Sequence, residues 1–153
     1  MRIIKNKIKK HKWICICLLA TVVAIFVLLM WENLHGRKLL KEALDFSGDE
    51  ELTVNVIDYT NKDCKIRLTE EEKKQLLALI KKEAKYAGYS SSSVVSPVTP
   101  DDNAFLVEIS SNRSLRVFLL ADQEGKTVLY EEDSYIKMGK MTETKEFLRN
   151  IGK

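Results

Sequence analysis

Ala104–Ala121, AFLVEISSNRSLRVFLLA, holds two apolar runs about a polar turn. Phe105, Val107 and Ile109 recur at every second residue, so they share one face of a strand. Ser111-Asn112-Arg113-Ser114 supplies the residues of a turn. Leu115–Ala121 becomes apolar on both faces toward its end, as a central strand does. The two runs therefore predict an antiparallel pair, with further strands beside it.

Downstream, Asp122–Lys126 reads as a hairpin loop, Thr127–Glu131 (TVLYE) as a strand and Ser134–Met138 (SYIKM) as a shorter one. Thr142 is expected to cap a helix over Glu143–Ile151, with Phe147, Leu148 and Ile151 as its apolar stripe. Upstream, Tyr89–Asn103 (YSSSSVVSPVTPDDN) is the longest irregular stretch. Loops of this length often bind, and Tyr89, Asp101 and Asp102 are its candidate partner surface.

Before that loop, Thr69–Gly88 predicts a helix. Thr69 with Glu72 three residues on forms a capping box, in which each side chain satisfies a free amide of the first turn. Leu76, Leu77, Ile80, Ala84 and Ala87 line one face, and Gly88 is expected just past the helix end. Glu51–Thr60 (ELTVNVIDYT) places Leu52, Val54 and Val56 on one face, and Cys64–Leu68 alternates again after the turn Asn61-Lys62-Asp63. The fold class expected is α+β: a β-hairpin, a helix, an antiparallel meander and a short C-terminal helix. Leu76 and Ile80 are expected to pack on Val54, Val107 and Val117.

The remaining N-terminal part is of another kind. Trp13–Trp31, WICICLLATVVAIFVLLMW, contains no charged residue, no Gly and no Pro. As a helix it spans about 28 Å, close to one hydrocarbon thickness, and Trp13 and Trp31 stand where aromatic side chains anchor a span at the interface. The expected organisation is a basic cytoplasmic arm (1–12), a transmembrane helix (13–31), a membrane-proximal helical stem (32–48) and an extracytoplasmic domain (49–153). The stem either continues the span through Gly36 or lies on the bilayer with Leu39, Leu40, Ala43 and Leu44 down. The apolar run is longer than a signal-peptide core and no small-residue cleavage site follows it, so the anchor is expected to stay. Arg2, Lys5, Lys7, Lys9, Lys10 and Lys12 precede the run, against Arg37, Lys38 and Lys41 after it. That asymmetry puts the N-terminus in the cytoplasm and the domain outside the plasma membrane.

Composition limits the chemistry. The arm and span hold six of the 25 Lys and Arg and none of the 22 Asp and Glu, so the rest of the chain is slightly acidic. The basic excess belongs to the arm and gives no reason to expect a nucleic-acid partner. The only histidines are His11 and His35, both outside the domain, which removes the common catalytic triads and zinc sites. Cys64 is a lone thiol there, and no nucleotide-binding or hydrolase motif occurs. No metal, cofactor or catalytic residue is expected.

The runs VNVIDYTNKDCKIRLTEEEKKQLLALI (54–80), SVVSPVTPDDNAFLVEI (93–109) and LYEEDSYIKMG (129–139) resemble a family of small extracytoplasmic domains of Gram-positive bacteria, carried on lipoproteins or single-pass anchors. The resemblance implies an exported α+β domain over residues 51–150 and carries over no functional residue. The expected partners are the lipid bilayer and a protein or peptide, met by a non-catalytic binding or accessory module. The alternatives are an immunity or regulatory subunit acting within a membrane complex, and a carboxylate-dependent wall or glycan enzyme.

Overall fold

The computed structural model describes residues 2–46, 52–61, 64–90, 103–112, 114–121, 127–131 and 134–152. The chain divides into two compact units, Met1–His35 and Gly36–Lys153. Helix α1 (Arg2–Ala43) runs through both ranges, so the stem continues the helix through Gly36. Among the described residues it is the one helix long and apolar enough to cross a membrane, with a mean hydropathy of 2.9 over its most apolar window. From Trp13 to Leu34 the large apolar side chains are exposed, and Thr21 satisfies its hydroxyl by donating to the Cys17 carbonyl at 2.9 Å. Trp31 stacks on His35 with ring centroids 5.2 Å apart.

The second unit is α+β. After α1 come β1 (Thr53–Asp58), β2 (Cys64–Ile66), α2 (Glu70–Glu83), β3 (Tyr86–Ser90), β4 (Ala104–Ser110), β5 (Leu115–Ala121), β6 (Val128–Glu131), β7 (Ser134–Met138) and α3 (Thr142–Ile151). The strands form one antiparallel sheet in the order β2-β1-β4-β5-β6-β7-β3. Register decides which residues become core. Val56 pairs with Val107 and Val107 with Phe118, while Val54 pairs with Ile109. The side-chain period of two then gathers Val54, Val56, Phe105, Val107, Ile109, Phe118, Leu120, Leu129 and Ile136 on one face, all buried.

Leu76 and Ile80 of α2, Leu148 of α3, and Leu40 and Ala43 of α1 cover that face. Leu76 and Ile80 are both 0% exposed, and full burial of one such side chain stabilises by about 1.5–3 kcal/mol. Val117 is the exception to the expected packing. It pairs with Glu108 and Tyr130 on the opposite face, and Phe118 takes the place under the helices.

Several element boundaries differ from those expected. α2 begins with the capping box at Thr69 but ends at Glu83, where Ala84 turns to ψ 94. Ala87 and Gly88 belong instead to β3, which pairs with β7 through a register shift between Tyr86 and Gly88. The reason is one of reach. β2 and β3 are the two edges of the sheet, so the chain between them must cross its whole width, about 29 Å at ~4.8 Å per strand. A 14-residue helix supplies only about 21 Å, and extended residues complete the crossing. β2 is also shorter than expected: Leu68 lies beyond it, packed on the edge of the core.

Thr142 is the first residue of α3 and not its cap. Met141 holds the cap position at φ 45 with no side-chain hydrogen bond. The free amides are met from α2: Glu83 Oε1 accepts from Glu143 N at 3.0 Å, and Oε2 accepts from Thr144 N and the Thr144 hydroxyl, each at 2.7 Å. The Lys82–Glu143 ion pair, at 2.6 Å, lies alongside.

Candidate partner surface

Trp13 and Trp31 lie in the apolar part of α1, 66% and 60% exposed. Tyr89 lies on the helix-covered side of the sheet, packed with Tyr86 against the core and against Gly36. A Cβ built on Gly36 would stand 2.7 Å from both Tyr86 Cε2 and Tyr89 Cβ, so only a glycine allows the helix this close to β3. Arg37 sits over the Tyr86 ring, 5.5 Å from its centroid. Asp101 and Asp102 lie outside the described residues.

A different set of tyrosines converges on the other face. Ala104 and Leu106 of β4, Leu119 and Ala121 of β5, and Val128 of β6 form a second apolar cluster with Tyr59, Tyr130 and Tyr135 around it. Ala104, Leu119, Ala121 and Val128 are buried, whereas Leu106 and the three tyrosines are half-buried. Tyr59 comes from the short 3-10 helix Tyr59–Asn61 and every other member from a strand, while Lys145 of α3 donates to the Ala121 carbonyl at 2.9 Å. Tyr130 and Tyr135 are direct cross-strand partners, and Lys137 places its ammonium 5.9 Å from the centroid of the Tyr135 ring.

Partial burial pushes the Tyr130 phenol up, and the neighbouring Tyr135 and Tyr59 phenols add to this. The hydroxyl is therefore neutral at physiological pH and can both donate and accept. The three half-buried rings thus present polar tips around apolar side chains that are themselves buried. The signal for this grouping was parity. Tyr130 and Tyr135 directly follow Leu129 and precede Ile136, two inward residues, so both must point to the opposite face.

Two of the cavities that open on the second unit are lined by described residues. One, about 750 Å³, lies between the end of α1 and α2–β3, with Arg37, Lys41, Lys81, Leu40, Leu44 and Tyr86 among its walls. The other, about 520 Å³, lies where β1 ends beside the C-terminal turn of α3. Among the described residues no three His, Cys, Asp or Glu side chains converge to hold a metal ion, and Cys64 is an exposed free thiol. Comparison with protein-family models, with curated proteins and with solved structures gives no match, so the functional reading rests on the chain's own geometry.

Proposed function

We propose that this chain is a membrane-anchored binding or accessory module. In this reading Trp13–Trp31 holds it in the plasma membrane with the N-terminus cytoplasmic, and the folded unit meets a protein or peptide partner outside. The observation that carries the reading is the tyrosine face: half-buried Tyr59, Tyr130 and Tyr135 pack around the buried Ala104, Leu119, Ala121 and Val128, on the side of the sheet opposite Leu76 and Ile80. Tyrosine is enriched at the centres of interfaces because it supplies large contact area with few rotatable bonds and a polar tip. The reading is non-catalytic, with the basic arm and apolar helix supporting the anchor.

Replacing Trp13–Trp31 with an unrelated apolar helix tests the division of labour. The size of the native membrane complex should survive that replacement and be lost in a Tyr130→Ala, Tyr135→Ala variant. Loss on exchanging the span, with the tyrosine variant intact, would overturn the proposal and indicate a subunit that acts within the bilayer.

A further inference from the structure

Asp58 ends β1 on the helix-covered side of the sheet and is only 7% exposed. Its Oδ1 accepts from the Thr60 amide at 2.8 Å and from the Thr60 hydroxyl. Among the described residues, Oδ2 takes no hydrogen bond and no ion pair. A carboxylate buried with an unsatisfied oxygen is costly, and a cation brought to that oxygen removes most of the cost.

Asp58 lines the cavity of about 520 Å³ together with Thr60, Asn103, Glu146, Arg149 and Asn150, whose walls bring two carboxylates and several amide or hydroxyl oxygens against one guanidinium. It also borders a cleft of about 280 Å³ with Lys65 and Arg67 among its walls. Asn150 belongs to the last turn of α3, where the unpaired carbonyls form the negative end of the helix dipole. Gly152 borders the oxygen: a Cβ there would stand in ordinary contact with Asp58 Oδ2, at 3.8 Å, and 3.3 Å from Ile66 Cδ1.

With two carboxylates and no third anionic or imidazole ligand among the described residues, the donor set suits an organic cation better than a metal ion. We propose that this cleft binds a cationic amine or guanidine, the charge pairing with Asp58 and its remaining N–H groups meeting the oxygens of Thr60, Asn103 and Asn150. Such a group is presented either by a lysine or arginine of a polypeptide or by a free polyamine. The site is separate from the tyrosine face, and each stands or falls without the other.

The test is an amide chemical-shift titration of the full chain in detergent micelles. The probes are N-acetylarginine methylamide, N-acetyllysine methylamide and putrescine, with N-acetylcitrulline methylamide as the uncharged match to arginine. Saturable shifts at Thr60, Asn103 and Gly152 are expected with a cationic probe, at least tenfold weaker with citrulline. Tighter binding of the blocked amino acids assigns the site to a polypeptide, and tighter binding of putrescine to a free amine. Asp58→Asn should weaken binding at least tenfold while Thr60 keeps its acceptor. No saturable shift with any cationic probe, or equal binding of citrulline, would overturn the proposal, and that contrast needs no variant to fold. Equal binding by a folded D58N chain would overturn it as well.

Discussion

Gly36 is the tightest residue-scale constraint in the second unit. A methyl group there meets Tyr89 Cβ, which is tied to the strand backbone and cannot rotate away. Gly36→Ala is therefore expected to destabilise the unit by about 1–3 kcal/mol, the usual cost of overpacking a close contact. Urea unfolding checks this, and an unchanged midpoint would show that β3 yields freely. Glu83 makes a second residue-scale prediction. Partial burial works to raise its pKa, but hydrogen bonds from the Thr144 hydroxyl and from the Thr144 and Glu143 amides outweigh this, and with Lys82 they hold the carboxyl below its usual value of 4.5. A carboxyl lowered by folding adds stability that is complete above about pH 4.5 and is lost as pH falls through the lowered folded value. Glu83→Ala should cost about 1 kcal/mol, as the loss of a helix cap does. Glu83→Gln keeps an acceptor but no titrating charge, so the stability gap between wild type and E83Q should close on acidification. A gap independent of pH between 3 and 7 would contradict the assignment (an interval of about four units around the carboxylate range).

At the scale of elements, α2 is the member that closes the core. Ile80→Asp places a charge among Leu76, Val107 and Phe118 with no partner and should abolish the cooperative unfolding transition seen by circular dichroism. A soluble variant that melts sharply would contradict the packing. The elements legible from sequence are those specified locally. The Thr69–Glu72 capping box needs only four adjacent residues, and strands β1, β4 and β5 announce themselves by alternation. The elements that escaped are specified at a distance. Tyr86–Ser90 is a strand because β7 pairs with it, whereas Ala84 and Ala87 locally favour helix. The cap of α3 comes from Glu83, on another helix, so Thr142 was a reasonable local candidate with no tertiary support. The tyrosine face was half legible. Parity places Tyr130 and Tyr135, but Tyr59 joins them only through the order of β1, β4, β5 and β6 in the sheet.

At the scale of the whole molecule, an apolar helix precedes a folded unit with tyrosines on one sheet face. The proposed topology makes Cys64, exposed on β2, reachable from outside the cell. In a chain carrying Cys15→Ser and Cys17→Ser, a membrane-impermeant maleimide should label Cys64 in intact cells. Labelling only after lysis would reverse the orientation. A partner received on the tyrosine face is detected by photo-crosslinking in intact membranes. A photoreactive residue placed at Tyr135 should give a discrete adduct, lost when Leu106→Asp is added, while the same residue at Lys74 on the exposed side of α2 gives none. The same adduct from both positions, or none from Tyr135, would contradict the account.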